Sequence, residues 1–174
     1  VKKSVCSAKG PVRYYWRETV DRRHLDATLD ELMKAISGPH RHENPYRDET
    51  NRAEFRRVLK LAQKGKLVPG DHVKTVQYEP RIDMFEMRWQ HVEVVPVDRV
   101  SGMLGDPEEV AVRLYYVEEG EPWIVGLYAH EKAYCDDPKE TTEAQNVHIG
   151  RAVDHAQARA PQRWGVPELS DQSP

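Results

Sequence analysis

The chain has 174 residues, enough for one domain with a sizeable core; 39% of them are hydrophobic and 32% charged, so the core must be compact and its surroundings well solvated. Cys6 and Cys135 stand far apart with no CxxC pair, which argues against a disulfide framework or a structural zinc site and for a reducing, cytoplasmic setting. No apolar run approaches the ~18 residues of a membrane span, and the opening VKKSVCSAKG is too polar for a secretory leader.

The net charge of −3 is unevenly spread. Residues 51–97 carry nine Lys/Arg against six Asp/Glu, whereas residues 98–174 carry seven against fifteen. Either a basic middle meets phosphate while an acidic end stays away, or helices and loops merely have charged outer faces.

Leu25, Leu29, Leu32, Met33 and Ile36 form one stripe of an amphipathic helix, with Asp21 as a candidate N-cap and Gly38-Pro39 as the stop. Residues 38–49 show no periodicity and read as a loop. A second helix is expected from Asn51, with Glu54 at the capping-box position, Phe55, Val58, Leu59 and Ala62 buried, and Gly65 as terminator. Its other face carries Arg52, Arg56, Arg57, Lys60 and Lys64.

From residue 73 the period changes to two. Val73–Tyr78 reads as a first strand, and Pro80-Arg81 turns the chain into a second, Ile82–Trp89. Phe85, Met87 and Trp89 give that strand its more continuous apolar face, so Glu86 and Arg88 look the other way. His91–Val95 continues it or begins another strand, and SGMLGDPEE is a loop. Val110–Val117 and Trp123–Tyr128 then form a hairpin around Glu119–Pro122. Asp137-Pro138 opens a last helix, with Glu140 as capping-box partner, Val147 or His148, Ile149, Ala152, Val153 and Ala156 as its stripe, and Pro161 at its end. The expected architecture is α+β: an antiparallel sheet of about four strands, with two N-terminal helices and one C-terminal helix on one face.

The series LAQKGKLVPGDHVKTVQYEPRIDMFEMRW, VRLYYVEEG, IVGLYAHEK and a capped helix with RAVDHA resembles the RelE/HigB toxins of type II toxin–antitoxin systems. The residues carrying the likeness are Gly65, Lys74, Glu86-Met-Arg-Trp89, Arg113-Leu-Tyr-Tyr116 and Leu127–Lys132. It divides the chain into an N-terminal extension with the first helix (1–50), a toxin-like domain (51–160) and a flexible tail (161–174). The resemblance implies a RelE/ParE-like fold and a ribosome-dependent mRNA endoribonuclease that cleaves by 2′-OH attack on the adjacent phosphate. No metal or other cofactor is required. The implied partners are a cognate antitoxin protein, the ribosome and mRNA. The alternative is a non-catalytic binding protein on the same scaffold, gyrase-inhibitor-like or phage-derived.

Arg88 and Arg113 suit the catalytic work because a guanidinium donates bidentate hydrogen bonds to phosphate and stays charged. His130 and Lys132, two apart on an extended backbone, share a face; the first can move a proton and the second can hold a phosphate or leaving oxygen. Glu131 between them should face the other way. Lys60, Lys64, Lys66, Lys74 and Arg81 are the candidate RNA-phosphate contacts, and Tyr134 a candidate base-stacking ring. Against these roles, Glu86 offers Arg88 an ion-pair partner, a strand-end His can be merely solvated, and Lys60 and Lys64 can line a solvated helix face. His40-Arg-His42-Glu43 lacks the rigid frame a metal site needs.

Overall fold

The computed structural model describes residues 3–17, 19, 23–76, 83–119 and 121–166. The first expected stripe forms α1 (His24–Ile36), burying Leu29, Leu32 and Ile36 with Leu25 and Met33 packed at the margin. Asp21 lies outside the described residues, and Arg23 takes the cap position with no side-chain capping bond to the first-turn amides.

The loop expected over 38–49 is shorter than that. α2 (Pro45–Gln63) begins at Pro45, because Asn44 caps it by accepting from the Tyr46 and Arg47 amides and proline fits the first helical position. Asn51, expected as the cap, is buried within the helix and donates from Nδ2 to the Glu93 carbonyl at 2.9 Å. Phe55, Val58, Leu59 and Ala62 are buried as anticipated, and Gly65 follows the helix end at φ +62°.

Four strands follow: β2 (Val73–Thr75), β3 (Met84–Val94), β4 (Glu108–Val117) and β5 (Trp123–Lys132). The proposed turn at Pro80-Arg81 lies outside the described residues. His91–Val94 continues β3 across a register shift between Trp89 and Val92. α3 (Pro138–Arg159) starts where expected, with the Asp137 carboxylate accepting the Lys139 amide.

Two expectations need correction. The sheet has five strands and is mixed: Arg13–Trp16 precedes α1 as β1, and the order is β1-β5-β4-β3-β2 with β1 parallel to β5. The pairing partner of β1 lies more than a hundred residues away, so no hairpin signal betrays it; only the aromatic, strand-favouring Tyr14-Tyr15-Trp16 hints at it. Gly126 permits this edge to close, since a Cβ there would sit 2.6 Å from the Trp16 ring. The helices also do not share a face. α1 and α2 cover one side of the sheet, meeting Phe85, Met87, Trp89, Val112, Leu114 and Tyr116. α3 covers part of the other, packing Ile149, Ala152, Val153 and Ala156 onto Met84, Tyr115, Val117, Trp123, Val125 and Leu127.

The N-terminal segment contributes Cys6, Val12, Tyr14 and Trp16 to the first core, and Trp164 and Val166 beyond α3 join the second. Full burial of one such large apolar side chain contributes about 1.5–3 kcal/mol. Among the described residues no helix is long and apolar enough to cross a membrane.

Candidate functional site

Strand register builds the polar part of the α3-facing surface. Arg88, Arg113 and His130 are direct cross-strand neighbours on β3, β4 and β5, so they form one row. The next row runs Lys74, Glu86, Tyr115, Tyr128 across β2 to β5. Lys132 pairs with Ala111 at the open end. α3 passes over these rows and adds Gln145, His148 and Arg151, one turn apart on one helix face.

The arginines are brought together but held. Arg113 is 1% exposed; its Nη1 donates to the Val112 and Trp89 carbonyls at 3.0 and 3.4 Å, and its Nη2 to Gln90 Oε1 at 3.4 Å. Arg88 donates from Nη1 to the Gly70 carbonyl at 2.6 Å. The buried Glu86 carboxylate lies between them, 3.4 Å from Arg88 Nε and 3.9 Å from Arg113 Nε, and accepts from Gln145 at 3.3 Å. Burial lowers the Arg113 pKa, opposed chiefly by the Glu86 charge.

His130 is 4% exposed. Its Nδ1 lies 2.9 Å from the Glu131 carbonyl, which can only accept, so Nδ1 carries the proton and Nε2 accepts from the Tyr115 hydroxyl at 3.2 Å. Burial, then the neighbouring His148, pushes the His130 pKa down to about 3, so this imidazole is neutral. His148 lies flat on it, with ring centroids 3.9 Å apart. The Tyr128 hydroxyl meets His148 Nδ1 at 3.2 Å and accepts from Arg151 at 3.1 Å. His148 is only half-buried, and burial followed by Arg151 lowers its pKa as well.

Lys132 is half-buried, and its ammonium lies 4.8 Å over the exposed Tyr134 ring. Burial, then Arg113, lowers its pKa. Glu131 faces the opposite side of the sheet, where Arg41 bonds it at 2.9 Å and also pairs with Glu108.

Lys74 therefore belongs to this surface, whereas the exposed Lys60 and Lys64 sit on or just beyond α2, across the sheet, with Lys66 following them. Arg81 lies outside the described residues. In the loop His40–Glu43, Arg41 is taken up by Glu108 and Glu131, and His40 Nδ1 lies 3.4 Å from Arg99. Among the described residues, no three His, Cys, Asp or Glu side chains converge as a metal site would require.

His148, Gln145 and Arg151 were not singled out for the site by the sequence. The available signal was the polar His148 beside the apolar stripe of α3, which reads equally as a stripe position. No family model matches this chain, and no curated protein or solved structure matches it significantly.

Proposed function

We propose that the surface between α3 and the sheet is the site of a metal-independent endoribonuclease, acting on mRNA in the ribosome as a RelE/HigB-type toxin and restrained by a protein antitoxin. The observation that carries this reading is the single row Arg88–Arg113–His130, with Lys132 and Lys74 beside it and His148 stacked upon it.

In this reading the accessible groups touch the substrate and the buried ones position them. Lys74 and Lys132 meet the scissile phosphate. His148 takes the 2′-hydroxyl proton as the 2′-oxygen bonds to phosphorus; the bond from phosphorus to the 5′-oxygen breaks, and that oxygen takes a proton from Lys132, leaving a 2′,3′-cyclic phosphate and a 5′-hydroxyl. A lowered ammonium pKa makes Lys132 a better acid. Phosphate charge next to His148 counters the burial that depresses it, raising its basicity when substrate arrives. Arg113 adds positive potential from within the sheet, and neutral His130 fixes the plane of His148.

The second reading is a non-catalytic binding protein on the same scaffold. Glu86 favours it, because its carboxylate already lies against both arginines and offsets part of the positive charge that phosphate would otherwise meet.

Induction in bacteria with and without the adjacent reading frame, followed by mapping of mRNA 5′ ends, separates the two. Growth arrest with codon-phased cleavage that His148→Ala or Lys132→Ala abolishes supports the nuclease. Arrest with intact mRNA supports the binding protein, and unimpaired growth sinks the toxin reading altogether.

A further inference from the structure

Three hollows meet along the β2 edge of the sheet, and each shares residues with the next. The first, of about 760 Å3, holds Lys3, Lys9, Lys64 and Lys66 around Pro11 and Val68, with no acidic residue in its lining. The second, of about 320 Å3, shares Lys3, Ser7 and Pro69 with the first and extends to Lys74 and Thr75. The third, of about 550 Å3, starts from Lys74 and Thr75 and reaches Glu86 and Gln145 in the candidate site.

The basic end is held in place. The segment carrying Lys3 and Lys9 bonds to the segment carrying Lys64 and Lys66 through the Lys9 amide to the Gly65 carbonyl (3.0 Å), Leu67 to Cys6 (2.9 Å) and Val12 to Gln63 (2.7 Å). Gly65 allows the contact: a Cβ there would lie 2.6 Å from the Gly10 nitrogen and oxygen. Lys9 itself is held at φ +59°, a conformation that costs on the order of 1 kcal/mol for a residue with a side chain. Among the described residues none of the four lysines forms an ion pair, in a chain whose net charge is −3. Where the first two hollows join, the buried Ser7 hydroxyl has no hydrogen-bond partner among the described residues.

We propose that the three hollows are one groove for single-stranded RNA, leading from the candidate site around the β2 edge to the lysine cluster. Lys74, Lys3, Lys9, Lys64 and Lys66 take successive phosphates, and the bases lie against Pro11, Val68 and Pro69. Cationic rims over an apolar floor fit a strand with unpaired bases; a duplex turns its apolar faces inward and has nothing to offer that floor. The inference rests on reading the α3 surface as the place where RNA is cut.

The test is fluorescence anisotropy of the full chain with 2′-O-methyl oligoribonucleotides of about 4 and about 12 nucleotides, the range over which a single-strand groove fills. The longer probe should bind more tightly. The triple variant Lys9→Gln/Lys64→Gln/Lys66→Gln should lose about tenfold or more in affinity for it and flatten the salt dependence by about 0.7 per lysine between about 50 and about 200 mM salt. These side chains are exposed, so the urea midpoint should not move, and the single Lys66→Gln serves as a milder check. No binding of the longer probe, no dependence on length, or equal affinity of the triple variant overturns the groove. If the triple variant binds and cuts RNA like the parent chain, the groove falls and the nuclease stands. If it loses affinity while the parent chain leaves mRNA uncut on translating ribosomes, the groove stands and the nuclease falls.

Discussion

The imidazole of His130 on β5 lies parallel to that of His148 on α3, with centroids 3.9 Å apart and planes within 9°. Two rings at that distance cannot both be protonated without strong repulsion, and burial already disfavours charge on either. The pair is neutral at neutral pH, and it ties the last strand to the last helix.

The stack makes the protein acid-sensitive. His130 has a pKa near 3 in the folded chain and an ordinary value, about 6.5, when unfolded. Between those values the unfolded chain binds more protons, so stability falls as pH drops below the unfolded pKa and continues to fall until His130 itself titrates. Each unit of depression corresponds to about 1.4 kcal/mol. Urea midpoints should therefore decrease from about pH 7.5 to about pH 5, and His130→Gln should reduce that slope. An unchanged slope in the variant would show that other groups carry the acid response.

Glu86 is the counter-charge for a guanidinium that has almost no access to water. Glu86→Ala leaves Arg113 buried and uncompensated, and should cost roughly 3–5 kcal/mol of unfolding free energy. Restoring a neutral bulk with Glu86→Leu/Arg113→Leu should recover much of that loss. A Glu86→Ala chain as stable as the parent would mean that water or Gln145 alone satisfies the arginine.

The groups with access to solvent should control turnover on RNA. His148→Ala is expected to lower the cleavage rate by about 10²–10⁴ with little change in RNA affinity. Lys132→Ala should lower both. On ribosomes kept intact by Mg2+, replacing a scissile-phosphate oxygen with sulfur should give cleavage that a thiophilic cation does not rescue; rescue by Mn2+ or Cd2+ would contradict the chemistry proposed.

Gly126 faces Trp16 across the parallel β1–β5 pair. Gly126→Ala drives a methyl group to within 2.6 Å of the Trp16 ring and against the Tyr14 hydroxyl, an overpacking cost of about 1–3 kcal/mol. Near-UV circular dichroism should report the displaced tryptophan together with a lowered Tm; an unchanged spectrum would argue that β1 is not fixed against β5.

Periodicity and capping by themselves determined the stripes of α1 and α2, the Phe85/Met87/Trp89 face of β3, the β4–β5 hairpin and the Asp137 start of α3. Those features are legible because a helix stripe, a strand alternation, a cap and a tight turn are set by residues a few positions apart. They also turn Glu131 to the face away from His130 and Lys132, which its pairing with Arg41 bears out. Only the tertiary structure decided that Arg13–Trp16 closes the sheet in parallel with β5, that α3 lies on the face opposite α1 and α2, and that Glu86 sits between two arginines while His148 covers His130. Those relations join segments far apart in the chain. They depend on register and on which apolar surface each helix finds to bury, and a local pattern carries neither.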